Sequence, residues 1–417
     1  MKTPKYLTKL DQIRELNEEE RVALKNVTEK FAFRANEYYL SLIDWNDSKD
    51  PIRRIIIPNM GELDEWGRLD ASDESAYTMV HGLQHKYGST ALLLVTDVCG
   101  GYCRFCFRKR IFIDGFDEVA RDVTEGIRYI REHEELTNIL VTGGDPLMLS
   151  TRRLEELIRQ LQEIEHVHVI RIGTKMPAFN PYRILNDPSL PEMLERYSTA
   201  EKKIYIMTQF NHPRELTDVS TEAVHTLISA GAIIANQTPV IRGVNDDPET
   251  LSTLFKKLSF VGAIPYYVFQ CRPTSGNRTF AVPVEEAYQI FQRSLNGCSG
   301  LAKRARLIMS HSTGKIEIVG MTDEHIFFRY HQSPDPERIG SFMVFKRNPG
   351  AYWFDDYHEL VAEYPIQDLA LAASRPWLSG SGDSECTKNG AMLVSKSIDT
   401  LNLCNPRSSV ADMNFSH

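Results

Sequence analysis

Three cysteines lie within eight residues of this 417-residue sequence, and their side chains are the ones most suited to chemistry. Cys99, Cys103 and Cys106 have the spacing C-x₃-C-x₂-C and directly follow the apolar run Ala91–Val95. A strand that ends in a loop of three thiolates, with no fourth cysteine nearby, is typical of an iron–sulfur cluster with one open coordination site. We therefore predict that these three cysteines hold such a cluster.

Other interpretations of the cysteines stay open at this stage. Zinc sites usually have four ligands, often as paired C-x₂-C units, and no second pair follows here. The three thiols could also be inert core side chains, or structural ligands in a non-enzymatic iron–sulfur or zinc protein.

The elements that must position these cysteines are indicated by an alternating pattern in the middle of the chain. Six short apolar runs predict strands: Leu92–Thr96, Ile139–Thr142, Val167–Gly173, Ile204–Gln209, Ile233–Val240 and Tyr266–Gln270. Amphipathic segments between them predict helices, and repeated strand–helix units favour a parallel sheet with right-handed crossovers. We predict an α/β fold, a partial (β/α)₆ barrel of the TIM type. Active sites in such barrels lie at the carboxyl ends of the strands, where the cysteine loop begins.

The remaining segments differ in pattern. Residues 1–85 are predicted to be a mainly helical extension with a helix capped by Asn17, and the acidic stretch Glu62–Glu74 is predicted to be a solvated loop or a short helix. The barrel is assigned to residues 86–300. Residues 301–374 are β-rich, with two strands joined at Ser310–Gly314. The Ser/Gly/Asn-rich residues 375–417 are expected to be poorly ordered.

Composition limits the class of protein. The chain is 42% hydrophobic and 25% charged, which allows a sizeable core, and its net charge of −8 argues against a nucleic-acid-binding surface. No apolar run approaches the ~20 residues of a membrane span, and residues 1–10 lack the apolar core of a signal peptide. Seven cysteines in a chain of this length fit a reduced compartment, so we expect a cytoplasmic protein.

A second motif follows the second predicted strand. Gly143, Gly144 and Asp145 could bring the backbone close to a ligand, although Gly-Gly-Asp-Pro is also a good turn. Together with the cysteine spacing, the motif resembles that of radical S-adenosylmethionine (SAM) enzymes. In these enzymes three cysteines hold a [4Fe–4S] cluster, SAM chelates the fourth iron, and the Gly-Gly-Asp segment binds the amino group of SAM.

The resemblance narrows to the lysine 2,3-aminomutase family, which includes glutamate 2,3-aminomutase, over roughly residues 20–330. It rests on short matches in one order: Asp50-Pro51-Ile52-Arg53, His85-Lys86-Tyr87, Leu92–Asp97, Cys103–Arg110, Gly143–Leu147, Phe210-Asn211-His212-Pro213, Asn236-Gln237, Gly243-Val244-Asn245-Asp246 and Pro265-Tyr266-Tyr267. Members use the cluster, SAM and pyridoxal 5′-phosphate (PLP) to move an amino group from Cα to Cβ of an amino acid. The resemblance implies an isomerase with a small-molecule substrate, an electron donor such as flavodoxin or ferredoxin, no nucleic-acid or membrane partner, and a possible oligomer.

The resemblance also implies roles for individual residues. Lys315 forms the Schiff base with PLP, and the plainer alternative is a solvated hairpin lysine. Lys86 and Tyr87 match the residues that hold the phosphate of PLP in the family, and Gln237 belongs to the cofactor-binding set. Arg108 binds the substrate α-carboxylate, with a surface charge as the alternative.

The sequence departs from the family at several positions. Thr90 stands where a phosphate-binding arginine is usual, which removes one charge-assisted contact. Lysine aminomutases hold the substrate ammonium with two aspartates, but this chain has Arg272 at one position and no acid among residues 308–310 at the other. The clustered zinc-binding cysteines beyond residue 330 are also absent.

We hypothesise a substrate other than lysine, such as glutamate, with Arg272 as a substrate-binding residue. The alternative is a PLP-independent radical SAM enzyme that modifies a peptide or another small molecule.

Overall fold

The structure is a computed structural model that describes residues 3–113 and 115–366, which belong to one compact unit. The predicted tail, residues 375–417, lies outside the described residues. The N-terminal segment contains a two-stranded antiparallel sheet and three helices: β1 (Tyr6–Leu7), α1 (Glu18–Lys30), β2 (Ala35–Asn36), α2 (Glu37–Leu40) and α3 (Pro51–Ile56). The predicted cap of α1 is confirmed, because the side chain of Asn17 accepts a hydrogen bond from the backbone N–H of Glu20.

A 13-stranded sheet organises the rest of the described residues, and its strands follow one another in chain order. The strands are β3 (Thr78–Val80), β4 (Leu83–Tyr87), β5 (Thr90–Thr96), β6 (Asn138–Gly143), β7 (Val169–Thr174), β8 (Lys203–Thr208), β9 (Ile233–Pro239), β10 (Ile264–Phe269), β11 (Arg306–His311), β12 (Gly314–Met321), β13 (His325–Gln332), β14 (Phe342–Lys346) and β15 (Leu360–Tyr364). Neighbours from β5 to β11 run parallel, and the strands on either side of them run antiparallel. Strands β3 and β15 form the two edges, so the barrel is incomplete.

Helices connect the parallel strands and cover the outer face of the sheet. They are α4 (Thr124–Glu132), α5 (Thr151–Gln162), α6 (Met176–Phe179), α7 (Tyr182–Leu185), α8 (Ser189–Tyr197), α9 (Asp218–Ser229), α10 (Pro248–Phe260) and α11 (Val284–Leu295). In α5, for example, Leu154, Leu157, Ile158 and Leu161 recur at helical spacing and are all buried. They belong to one continuous core that also contains the outward-facing residues of the strands.

The predicted α/β fold, a partial (β/α)₆ barrel with a β-rich C-terminal extension, is confirmed. The structure has one feature that was not predicted. Strand β11 pairs in parallel with β10 and is a seventh strand in the parallel part of the sheet. The domain boundaries stay predictions, and the one placed at residue 85 falls within β4. No helix of the described residues is long and apolar enough to cross a membrane.

The N-terminal segment has a core of its own, which packs against the carboxyl ends of the parallel strands. Its buried residues include Ile52, Ile55 and Ile56 of α3, and they share a cluster with Phe105 and Phe179, which follow β5 and β7. Burial of each large aliphatic side chain contributes roughly 1.5–3 kcal/mol. The segment therefore forms a stable cover over the end of the barrel where the cysteine loop lies.

Candidate active site

The twelve site residues predicted from the sequence all line one cavity of about 360 Å³. They come from β4, from the end of β6, from β9, from β12 and from the segments that follow β5, β6 and β10: Lys86, Tyr87, Cys99, Cys103, Cys106, Arg108, Gly143, Gly144, Asp145, Gln237, Arg272 and Lys315. Their convergence follows from the fold, because the carboxyl ends of parallel strands meet at one end of a barrel. Their individual roles stay predictions.

The three cysteines are free, half-buried thiols in the cavity wall. Burial raises the pKa of Cys103 to about 12, although the charge of Lys175 opposes this shift, and burial also raises the pKa values of Cys99 and Cys106. Iron ligation would compensate for the free-energy cost of deprotonating these buried thiols, because the metal stabilises the thiolates. No three His, Cys, Asp or Glu side chains in residues 3–113 and 115–366 are grouped as ligands for a single metal ion. Cysteines that hold an iron–sulfur cluster would each bind a different iron atom, so they need not converge on one point. The arrangement of the three thiols is therefore compatible with such a cluster.

Backbone groups of the cysteine loop are held by the N-terminal segment. The side-chain amide of Asn36, which is fully buried, donates to the carbonyl oxygens of Gly100 at 3.0 Å and Phe179 at 2.8 Å. The N–H groups of Tyr102 and Arg104 donate to the carbonyls of Arg34 and Ile55, both at 2.9 Å. The loop geometry therefore depends on residues more than 40 positions earlier in the chain, which the local sequence motif does not reveal.

A buried ion pair adds a second link between the loop and the N-terminal segment. Arg104 donates from Nη2 to Glu62 at 2.8 Å and from Nη1 to the carbonyl of Ala32 at 2.8 Å. Both side chains of the pair are almost inaccessible to solvent. The prediction that residues 62–74 form a solvated acidic stretch is wrong at both ends, because Glu62 and Glu74 are buried opposite arginines.

The Gly-Gly-Asp segment lies against the start of the cysteine loop. Gly143 has φ +113°, and a Cβ atom on Gly144 would lie 2.5 Å from the carbonyl oxygen of Val98, so larger residues do not fit here. The N–H of Asp145 donates to that same carbonyl at 2.8 Å. The segment is thereby fixed beside the cysteines, as a ligand that contacts both would require.

The carboxylate of Asp145 is already held by the protein. It accepts hydrogen bonds from the Thr174 hydroxyl at 2.7 Å and from the N–H groups of Leu147 and Lys175 at 3.0 and 2.8 Å. Burial nevertheless raises its pKa to about 6. Its bonds fix the turn after β6, so the side chain contributes to the shape of the cavity as well as to its charge.

Arg108 is buried, which excludes the surface-charge alternative, and it is paired with a residue that the sequence analysis missed. Its Nε and Nη2 atoms donate to the Glu74 carboxylate at 3.0 and 2.8 Å, while Nη1 lies 3.4 Å from the Thr142 hydroxyl. Arg110 donates to Oε2 of Glu74 at 2.7 Å, the oxygen that also accepts from Nε of Arg108. Burial alone would raise the pKa of Glu74, but the charges of both arginines hold it below its usual range. Glu74 binds one side of the guanidinium group, which leaves the Nη1–Nη2 end of Arg108 for a ligand.

Arg272 lies on the same side of the cavity and has no such counter-ion. Its guanidinium carbon is 3.6 Å from the centre of the Phe107 ring. Its buried Nη1 atom has no hydrogen-bond partner among the described residues. Burial lowers its pKa to about 10, although the charge of Glu74 opposes the shift. A buried guanidinium that lacks an acceptor is suited to bind an anion.

Lys315 is the second residue of β12 and extends into the cavity rather than into solvent. Its Nζ atom donates to the Gln332 side chain at 2.9 Å and lies 4.2 Å from the centre of the Tyr87 ring. Burial, together with the charges of Arg171, Arg272 and Lys86, lowers its pKa well below the usual value. A neutral amine is what carbonyl attack requires, so the environment fits a lysine that carries PLP.

Lys86 and Gly314 contribute to the surroundings of Lys315 in the cavity. Lys86 donates to the carbonyl of His311 at 2.7 Å, and burial lowers its pKa to about 8. Gly314 has φ +151°, and a Cβ atom there would lie 2.3 Å from the carbonyl of Gln332. This glycine lets β13 approach closely and sets the direction in which the next residue, Lys315, leaves the hairpin.

The cavity has an excess of basic over acidic side chains. Six basic side chains line it, against the two carboxylates of Glu74 and Asp145: Lys86, Arg108, Arg171, Lys175, Arg272 and Lys315. Arg171 and Lys175 were not predicted. Lys175 pairs with Glu215 at 2.6 Å, whereas Arg171 has no acidic partner among the described residues. An arginine within the apolar run of β7 was the signal that could have identified Arg171.

The chain is similar in sequence to radical SAM proteins and to 2,3-aminomutases. The family model described as "Radical SAM superfamily" matches residues 93–254. The chain is 60% identical over 361 residues to a putative L-lysine 2,3-aminomutase from Aquifex aeolicus, with 86% of this chain and 96% of that protein covered. It is 36% identical to the L-lysine 2,3-aminomutase of Clostridium subterminale, with 68% of each chain covered. It is also 36% identical to the glutamate 2,3-aminomutase of Clostridioides difficile, with 70% of this chain and 68% of that protein covered.

Proposed function

This chain belongs to the lysine 2,3-aminomutase family of radical SAM enzymes, and we propose that it isomerises an acidic amino acid such as glutamate by moving the amino group from Cα to Cβ. Membership in the family makes it an isomerase of the 2,3-aminomutase type and implies a [4Fe–4S] cluster and SAM. The finer parts of the proposal are the identity of the substrate, the use of PLP and the residue assignments.

The reaction divides between the bound groups and the protein. The cluster with SAM supplies a radical that removes hydrogen, and PLP supplies a carbonyl carbon that holds the migrating amino group. Cys99, Cys103 and Cys106 would bind the cluster, and the segment Gly143–Asp145 would lie along SAM. Lys315 would carry PLP. A small electron carrier such as flavodoxin or ferredoxin would provide the reducing electron.

The protein's own contribution is binding, orientation and exclusion of water. The Nη1–Nη2 end of Arg108 is available for the α-carboxylate because Glu74 holds the opposite side of the group. Gln237 lines the cavity from β9, where its amide can bond to a cofactor or to the substrate. The N-terminal core covers the barrel end, which protects a reactive radical from solvent.

The observation that carries the substrate assignment is the unpaired guanidinium of Arg272. A carboxylate on the substrate side chain would accept from its Nη1 atom, which otherwise stays buried without a partner. A substrate ammonium would instead need a free carboxylate. Both cavity carboxylates are occupied, since Glu74 pairs with two arginines and Asp145 accepts three donors of the protein.

Most of the named relatives are lysine aminomutases, so the substrate needs a direct test. The reduced enzyme, reconstituted with iron, sulfide, SAM and PLP, is incubated with glutamate and with lysine in separate reactions. We expect β-glutamate and no β-lysine by chromatography with mass detection. Formation of β-lysine, with glutamate unchanged, would overturn the substrate assignment.

A second candidate function is a PLP-independent radical reaction on a peptide or another small molecule. It is favoured by Thr90, which replaces a basic residue expected to bind phosphate. The two functions differ in the visible absorbance of PLP bound to the protein. The proposed function predicts a band that is present in the wild type and absent in Lys315→Ala, whereas the second candidate predicts no such band in either protein.

A further inference from the structure

With Thr90 in place of the usual arginine, the phosphate of PLP lacks one charged partner beside Lys86. Thr90 is buried at the start of β5 and lines the cavity. It pairs with Asn138 at the start of β6. A threonine hydroxyl at this position offers one neutral hydrogen bond and no charge, whereas phosphate is a dianion that favours charged donors.

Arg171 brings a charge to this place from β7, two strands away. Its Nε atom donates to Oδ1 of Asn138 at 2.7 Å, so its side chain leans back along the barrel toward the level of Thr90. Its two Nη atoms donate to no acceptor within residues 3–113 and 115–366, and the residue lines the cavity. One side of the guanidinium is therefore fixed, and the other is free to bind a ligand.

Arg171 lies apart from Arg272, whose Nη1 atom also lacks an acceptor in the described part of the chain. Arg171 lies in the middle of β7, opposite Leu140 of β6, and its nearest ionisable neighbours include Tyr266 and Tyr267 of β10. Arg272 lies beyond the end of β10, where it stacks on Phe107 of the cysteine loop. The cavity is therefore lined by two guanidinium groups with unbonded donors, one on β7 and one beside the cysteine loop.

We propose that Arg171 binds the phosphate group of PLP and supplies from β7 the charge that Thr90 does not supply from β5. This inference rests on the proposed function, in which PLP is attached to Lys315. Arg171 and Lys315 line the same cavity, and the charge of Arg171 contributes to the lowered pKa of Lys315.

The test compares PLP with pyridoxal, which has the same aldehyde but lacks the phosphate. Cluster-containing protein is freed of PLP, and each aldehyde is titrated while the absorbance of the lysine adduct is followed. The variants are Arg171→Met, Arg171→Lys and the control Lys203→Met. Lys203 starts the neighbouring strand β8 and does not line the cavity.

We expect Arg171→Met to weaken PLP binding about 10- to 100-fold while leaving pyridoxal binding unchanged, because only the phosphate contact is lost. Arg171→Lys should restore part of the loss, Thr90→Arg should restore part of it in the Arg171→Met background, and Lys203→Met should have no effect. Equal losses for both aldehydes, or no loss for PLP, would overturn the assignment of Arg171. Absence of any PLP adduct in the wild type would instead refute the use of PLP, and this inference with it.

Discussion

Replacement of Asn36 by alanine should release the cysteine loop from its N-terminal clamp. The change removes two donors and leaves the buried carbonyls of Gly100 and Phe179 without partners. It also removes the acceptor for the N–H of Tyr39, at 2.9 Å. An unsatisfied buried polar group costs about 1–3 kcal/mol, and water entering the gap recovers part of this. We therefore expect the loop to lose about 2–4 kcal/mol of stabilisation.

The assay measures iron and sulfide per chain after anaerobic reconstitution and desalting, together with the melting temperature. Asn245→Ala is the matched control, because Asn245 is also fully buried and donates to two backbone carbonyls, those of Asn211 and Pro239, away from the loop. Both variants should melt earlier than the wild type, but only Asn36→Ala should lose iron. Equal iron content in the two variants would refute the view that the N-terminal segment holds the cluster loop.

Three further predictions concern the charged groups of the cavity. Glu74→Gln should lower the free energy of unfolding, measured with urea, by about 3–5 kcal/mol at neutral pH. Because the pKa of Glu74 is lowered from 4.5, this difference between wild type and variant should shrink as the pH falls below 4.5. Lys315→Met should raise the melting temperature of the PLP-free protein, because the lowered pKa of Lys315 means that burial of this lysine destabilises the folded state. The rise in melting temperature should diminish as the pH approaches 10.5, where the lysine is neutral in the unfolded chain as well. A rise that does not depend on pH would contradict this prediction. Arg272→Met should lower kcat/KM for glutamate about 10- to 100-fold, mainly through KM, in steady-state assays; unchanged kinetics would contradict its role.

The sequence was sufficient for those parts of the fold that depend on local pattern. The six apolar runs predicted strands β5–β10 within a few residues, because buried parallel strands are continuously apolar and β-branched. The extra parallel pairing of β11 was missed, because partner and direction are decided by packing against β10 and leave no local signal.

The sequence likewise pointed to some residues of the candidate site and not to others. Cysteines and glycines at fixed spacing are local features, and the resemblance to a family located Lys315 and Arg108. Glu62 and Glu74 were misjudged because a charged residue in a loop is usually solvated, and their arginine partners lie more than 30 residues away. Arg171 escaped notice because the side of a strand that faces a cavity becomes evident only when the barrel is assembled.

The most direct test of the account follows one hydrogen atom. Reduced enzyme with cluster, SAM and PLP is incubated with glutamate carrying deuterium at its β-carbon, and 5′-deoxyadenosine and amino acids are analysed by mass spectrometry. The account predicts deuterium in 5′-deoxyadenosine together with formation of β-glutamate. Unlabelled 5′-deoxyadenosine from glutamate, with transfer of deuterium from β-deuterated lysine instead, would contradict it.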